Sequence, residues 1–465
     1  MKNIKNVFLQ FTFYDRTGIQ AYLEKQAQKG WMLEKISPFS WKFRRMEPKK
    51  LHFSVTYFPQ ASVFDPEPSE DQKRFRDFCA HTGWELAASN AQLQIFYNEK
   101  EEPIPIETDA AMEVETIHKA VKRGFMPGYL MLLACGLLQG GLFLWRLFSD
   151  PIGVLVSNLN LFTGLCWVLV LLQSFVEIIT YFLWYKKAKA MAELDGSFVE
   201  TKSHRNFQLI VMYFVFAALG LLLISLGSSK MVLMVIISIV IVFAITALIL
   251  NFSTLMKHFK APASVNCTMT IIITLVLSFG ICGILLIIIF SRVHTLFPDR
   301  VPVETYEYNG WTYAVYDDEL PLTVEDMMEL DYHEYSCSWT AEESIFLAQF
   351  DAIQRPRKDA LEMPDLEYTI TKIKLPILYD WCLQELLGSY DDWHSEDIYG
   401  RIFYDRYEPI DAAPWGADIA YQLYRGDNPM EIYLICFDDR MIEIIPGWEL
   451  TTEQMAIIGE KLREI

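Results

Sequence analysis

The densest cluster of chemically useful side chains in this 465-residue chain lies near its end. Asp391, Asp392, His394, Glu396 and Asp397 are nearly consecutive. Carboxylates packed this closely suit a hard divalent cation such as Ca²⁺ or Mg²⁺. The glycine that makes the sharp turn of a helix–loop–helix calcium loop is missing, so a solvated acidic loop competes with the metal reading. The sequence contains no His-Glu-x-x-His, Gly-x-Ser-x-Gly, phosphate loop or Cys-x-x-Cys. The expectation is therefore a non-enzymatic protein with no cofactor. A second polar candidate is Glu177, with Gln173 and Tyr181 four residues to either side on one helix face. It is the one acidic residue well inside a long apolar stretch, where carboxylates are costly and often functional. Two readings stand for it: snorkelling toward Lys186 and Lys187, or a polar contact or ion site inside a helix bundle.

The elements that must position Glu177 are five apolar spans: Met126–Leu147, Leu159–Leu183, Phe207–Leu226, Met231–Phe252 and Thr268–Phe290. Each has the length needed to cross a hydrocarbon core of about 30 Å. Lys119, Lys122 and Arg123 precede the first. Lys186, Lys187, Lys189, Lys202 and Arg205 separate the second from the third, and Lys257 and Lys260 the fourth from the fifth. The 148–158 link has no cation and the 227–230 link only Lys230. Because basic links stay cytoplasmic, the N-terminus is expected inside and the C-terminus outside a cell membrane. Gly136 and Gly140 form a Gly-x-x-x-Gly face, which suits close packing within the bundle or a homodimer. One intramembrane carboxylate is little for a transport path.

Charge follows the same division. The chain carries 40 basic and 59 acidic residues, a net of −19. From Asp299 onward there are 12 basic and 37 acidic residues, so that part holds −25 and the remainder +6. No surface of the kind that binds nucleic acid is visible. The eight cysteines are too scattered for a disulfide framework; Cys337, Cys382 and Cys436 read as free thiols or as one pair plus one thiol.

The first hundred residues read as a β-α-β-β unit occurring twice. Val7–Tyr14 alternates as a strand, Thr17–Lys29 carries a helical stripe, and Gly30 stops the helix before the strands Trp31–Ile36 and Phe39–Arg45. The order returns with Leu51–Phe58, a helix Glu70–His81, Gly83, and the strands Trp84–Ala88 and Gln92–Tyr97. Gly30-Trp31 and Gly83-Trp84 are 53 residues apart, and Phe43 and Phe96 each follow their tryptophan by 12. Such offsets indicate an internal repeat. The two units are expected to form one antiparallel sheet with both helices on one face. Trp31 and Trp84 read as packing residues, with ligand stacking as the alternative. Asp109–Gly124 reads as a helix running into the first span, the natural rod between region 1–105 and the membrane. Lys186–Arg205 reads as the larger cytoplasmic loop, with lysines for anionic lipid.

Tyr22-Leu23-Glu24, Ala27, Lys29-Gly30-Trp31 and Pro48-Lys49-Lys50 together resemble the family called domain of unknown function 2812, over about the first hundred residues. The resemblance implies a bacterial membrane protein, often encoded near a transcriptional regulator of the PadR type, and supplies no catalytic residue. A folded domain on each side of the spans points to a cytoplasmic protein partner, and the resemblance implies a link to a transcriptional regulator.

Region 299–465 reads as an acidic α+β domain. Expected helices are Glu325–Leu330, Ala341–Asp351, Ile377–Leu387 and Thr451–Leu462. Expected strands are Leu366–Lys374, Arg401–Arg406, Asp418–Tyr424, Glu431–Phe437 and Met441–Ile445. The whole is thus expected to be a multi-pass α-helical membrane protein, five spans flanked by two α+β domains. The functional reading is a sensor or regulator; a transporter or permease accessory subunit is the alternative, and an envelope enzyme ranks behind both.

Overall fold

The computed structural model describes residues 3–7, 11–37, 40–201, 205–225, 229–296, 302–308, 311–330, 335–357, 363–390, 394–396 and 402–463. It divides into two compact units. One comprises Met1–Gly141 with Leu165–Phe290, the other Leu142–Gly164 with Ser291–Ile465.

The first unit opens with the repeat. β1 (Ile4–Val7), α1 (Arg16–Gln28), β2 (Trp31–Ile36) and β3 (Trp41–Arg45) are followed by β4 (His52–Tyr57), α2 (Glu70–His81), β5 (Glu85–Asn90) and β6 (Leu93–Asn98). Of the expected first strand, Val7–Tyr14, Val7 belongs to β1, residues 8–10 lie outside the described residues, and Phe11–Tyr14 are not strand; Tyr14 is buried beside the cap of α1. Each half forms its own three-stranded antiparallel sheet, with the last strand in the middle: β1-β3-β2 and β4-β6-β5. The single sheet expected from the sequence is therefore replaced by two. The strands that lie alongside each other, β2 and β5, each carry an irregularity, between Leu33 and Lys35 and between Leu86 and Ala88. Bulges leave ladder groups unpaired and turn an edge away. They fall at equivalent positions of the two halves, as do the left-handed glycines Gly30 (φ +78°) and Gly83 (φ +91°). So do the edge-to-face ring pairs Tyr22–Phe43 and Phe75–Phe96, at 6.4 and 6.1 Å.

The helices do not share a face either. Ile19, Leu23 and Ala27 of α1 enter a core with Phe43, Phe53, Val55 and Ile95. On the opposite side of β6, Phe96 meets Cys79 and Phe75 of α2 and the buried Trp84 in a smaller cluster.

α3 (Ala110–Gly124) begins at Asp109, whose Oδ1 accepts from Ala111 N and Met112 N at 2.9 and 3.1 Å. Its inner stripe is Val114, Ile117, Ala120 and Val121. Then come α4 (Met126–Ser149), α5 (Pro151–Leu155), α6 (Asn158–Asp195), α7 (Arg205–Ser225), α8 (Ser229–His258) and α9 (Ala263–Leu296). Five of these, α4 and α6 to α9, are long and apolar enough to cross a membrane. Lys186–Arg205 is only partly a loop: α6 runs unbroken to Asp195, because Lys, Ala, Met and Glu between Leu183 and Gly196 all favour helix. Gly136 and Gly140 lie against the α6 backbone at Leu171 and Trp167, where an added Cβ would sit 2.9 and 3.3 Å from it. α6 of the same chain thus fills the Gly-x-x-x-Gly face.

In the second unit β7 (Glu304–Tyr308) and β8 (Trp311–Val315) form a hairpin. An eight-stranded antiparallel sheet holds β9 (Tyr335–Glu343), β10 (Leu347–Pro356), β11 (Leu366–Ile373), β12 (His394–Glu396), β13 (Ile402–Ile410), β14 (Ile419–Arg425), β15 (Asn428–Phe437) and β16 (Arg440–Pro446). Their order is β12-β13-β14-β15-β16-β11-β10-β9. α10 (Tyr379–Gly388) and α11 (Thr452–Arg463) complete it. Two expected helices are absent. Ala341–Asp351 is the turn of the β9–β10 hairpin, where Ser344 Oγ accepts from Phe346 N and Leu347 N at 2.9 and 3.1 Å. Its Ala and Glu residues favour helix locally, but pairing on a buried sheet overrides propensity. Glu325–Leu330 contributes one 3-10 turn, Val324–Asp326, closed by a Thr323–Asp326 capping box. One core packs α11 and Trp415 with Tyr368, Ile435 and Ile444. Another packs Ile152, Val154 and Leu155 of α5 with Cys382, Leu383, Leu347 and Leu434. Cys337, Cys382 and Cys436 are buried and form no disulfide.

Candidate functional site

The polar groups buried in the first unit converge where the repeat meets the helices. At the start of α1, Asp15 Oδ1 accepts from Gly18 N at 3.0 Å, the ordinary N-cap bond. The same oxygen accepts from Thr201 Oγ1, in the segment after α6, at 2.9 Å. Thr17 and Thr201 share a second contact, with hydroxyls 2.7 Å apart and Thr201 N donating to Thr17 Oγ1 at 3.1 Å. Between them Arg16 pairs with Glu113 of α3, both largely buried, and lies 5.0 Å from the Phe198 ring centre. Burial pushes the Arg16 guanidinium down, against the upward pull of Glu107, and pushes the Glu107 carboxyl up against Arg16. A buried cation surrounded by carboxylates is costly to break from either side.

Deeper, α3 and α6 are joined by rings. His118 Nδ1 lies 2.6 Å from Tyr181 Oη, and its ring stacks on Tyr185 at 4.0 Å. Burial lowers the His118 pKa, which favours the neutral imidazole. Tyr14, one residue before the cap, packs on Tyr181 and Trp184 at 5.2 and 5.3 Å. Burial is the main cause that pushes its phenol up to about 12; a hydrogen bond from Thr180 opposes the rise and Glu177 adds to it. Glu177 is fully buried, and Gln208 of α7 donates Nε2 to its Oε1 at 2.5 Å. It belongs to the bundle interior, whereas Lys186 and Lys187 are exposed. Gln173, one turn earlier, is half-buried. The α8–α9 link also reaches the repeat: Asn266 Nδ2 donates to Phe64 O at 3.1 Å, and Lys260 pairs with Glu67 at 2.8 Å.

This chain of contacts holds hydroxyls, amides, carboxylates and rings. These contacts hold the repeat against the helices through α1, α3, α6 and α7. Among the described residues no group of three His, Cys, Asp or Glu is placed to hold a metal. Asp391, Asp392 and Asp397 lie outside the described residues. His394 and Glu396 are described only as backbone, in β12 against β13. Trp84 packs with Cys79 and Phe96 and donates Nε1 to Ile104 O at 2.8 Å. Trp31 is half-exposed, with Arg45 5.0 Å over its ring.

Gly30, Trp31 and the α1 cap fall within one region that resembles a known family. Residues 15–127 match the family model described as Protein of unknown function (DUF2812). The DUF2812 region begins on the capping Asp15 and ends just inside α4, so it includes α3 and the repeat from α1 to β6, but neither β1 nor the apolar helices after α4. No curated protein and no solved structure matches the chain. The sequence reading overlooked the partners outside this region, Thr201 and Gln208. Neither has a local signature, since each acts through a contact distant in sequence. Asp15 had one: an acidic residue four before Ile19, where the helical stripe starts, with Arg-Thr-Gly between.

Proposed function

We propose that the chain is a multi-pass bacterial cell-membrane protein that acts as a non-enzymatic sensor or regulator. The DUF2812 region works in the cytoplasm and engages a protein partner there. The acidic C-terminal region works outside, and the five apolar helices carry a change of state between them. One observation supports this reading above others. The two cation-bearing links, after α6 and after α8, bond to the DUF2812 region through Thr201 and through Lys260 and Asn266. The cation-free link holding α5 packs into the core of the C-terminal unit. The packing of these three links follows the grouping that the positive-inside rule would give them, which supports the reading.

Reporter fusions after Asn158, Lys230 and Ile465 test the orientation: all three read outside if it is right, and a cytoplasmic reading at any of them contradicts it. Affinity capture of the full chain from native membranes tests the regulator role. A cytoplasmic partner should depend on residues 1–105 and be lost with them while the protein stays inserted. A permease accessory subunit is the second reading, drawn from the Glu177–Gln208 pair inside the bundle. A stable ATPase complex with a transport defect in Glu177→Gln would favour it; no such complex and a silent Glu177→Gln would remove it.

A further inference from the structure

The groove between α3 and α6 changes character along its length. At one end Ala111, Val114, Glu115, Tyr185, Lys189, Ala192 and Glu193 line a cleft of about 230 Å³. Charges there are balanced internally, with Lys119–Glu115 and Lys189–Glu193 at 3.7 and 3.9 Å. At the other end His118, Val121, Lys122, Met126, Tyr181 and Phe182 line a cleft of about 280 Å³ with an almost wholly apolar wall. Lys122 is exposed there, and among the described residues it has no carboxylate partner. Met126 opens the first long apolar helix, and Phe182 is in the last turn of the second apolar span. This end therefore lies where hydrocarbon gives way to headgroups, provided the proposed orientation holds.

We propose that this cleft binds one anionic phospholipid, its phosphate on Lys122 beside His118 and an acyl chain along Val121, Met126 and Phe182. An unpaired cation at the rim of an apolar wall suits an anionic amphiphile. A free phosphate would meet Lys122 but leave the Met126–Phe182 wall uncovered. A neutral lipid would cover the wall but leave Lys122 without a counter-charge. The cleft is built within the junction, on the His118–Tyr181 contact, so an occupied site would brace α3 against α6.

Native mass spectrometry of the full-length protein in detergent tests the assignment, with phosphatidylglycerol, phosphatidylcholine and inorganic phosphate added separately. The expected result is one retained phosphatidylglycerol, displaced by neither phosphatidylcholine nor phosphate. Lys122→Glu should lower its retention about tenfold or more, and Lys260→Glu should leave it unchanged. Equal retention of phosphatidylcholine, displacement by inorganic phosphate, or full retention in Lys122→Glu overturns the proposal. Loss of monodisperse, folded protein in Lys122→Glu would be replaced by Phe182→Ser as the test, with the same loss of retention expected. Failure of the orientation is read independently, by the reporter fusions at Asn158, Lys230 and Ile465.

Discussion

The two halves of the repeat have the same strand order, the same bulge, the same left-handed glycine and the same ring pair, yet they hold different positions in the molecule. The first half is wired into the helices at the start of its helix, where Asp15, Arg16 and Thr17 meet Thr201 and Glu113. In the second half the equivalent stretch is Pro68, Ser69 and Glu70. Ser69 caps its own helix, accepting from Gln72 N at 3.2 Å, and Glu70 pairs with Lys73. α2 buries only Gln72 and Cys79 and leaves Phe78 59 % exposed. Duplication preserved the shell of the unit, and divergence gave each copy its own attachment: the first meets the helices at its helix cap, the second through the loop before α2, at Phe64 and Glu67.

Substitutions at matched positions can break or sharpen this contrast. The largest effect is expected at the caps. Asp15→Ala removes a cap and leaves the Thr201 hydroxyl without its acceptor, a loss of roughly 2–4 kcal/mol. Ser69→Ala removes a cap alone, about 1 kcal/mol. Thermal unfolding of the full chain in detergent measures both, and equal losses would refute the anchor assignment. Glycine comes next. Ala at position 30 would meet Met46 O at 2.8 Å, whereas at 83 it would meet the Asn98 amide and the flexible Lys100 at 3.3 Å or more. Gly30→Ala should therefore cost more than Gly83→Ala, each of order 1–3 kcal/mol at these positive φ values.

Thiol labelling separates the halves more finely. Burial pushes the Cys79 thiol up to about 11, so it is inert while α2 stays seated. Ser69→Ala should speed Cys79 labelling more than Asp15→Ala does at temperatures below the melt. The opposite order would mean the halves unfold as one. The smallest effect is a control in the other unit. Burial, with Asp150 and Glu443 adding, pushes the Glu385 carboxyl up to about 7. A carboxyl raised above its ordinary value of 4.5 binds protons more tightly when folded, so it lowers stability as pH rises from 4.5 toward 7. Glu385→Gln should flatten that slope and leave Cys79 labelling unaltered at every pH.

The shell of the repeat was legible because its signals are local: a helix-ending glycine, the following tryptophan and a fixed aromatic offset. The five apolar helices were legible for the same reason, composition over a window. Sheet count was not, because the bulges at Leu33 and Leu86 depend on how the edges meet rather than on any residue type. Ala341–Asp351 misled in the other direction, with helix-forming residues bent into a hairpin by pairing to distant strands. Of the junction, Asp15 carried a cap signal and Glu177 stood out by being charged among apolar residues. Their partners Thr201 and Gln208 are ordinary side chains made important by tertiary contact.

α6 carries Glu177, Tyr181, Trp184, Ala188 and Ala192 on one stripe, all buried, and leads through Gly196 to Thr201. Thirty-eight unbroken residues make a rod of about 57 Å. The stripe fixes one angular phase from Glu177 to Ala192. One residue inserted between Tyr181 and Trp184 would turn everything beyond by about 100°, swinging Ala188 and Ala192 off α3 and Thr201 away from Asp15. Seven inserted residues would come within about 20° of restoring the stripe. The length of this helix is therefore quantised in evolution: related chains should differ here by three, four or seven residues, and seldom by one or two.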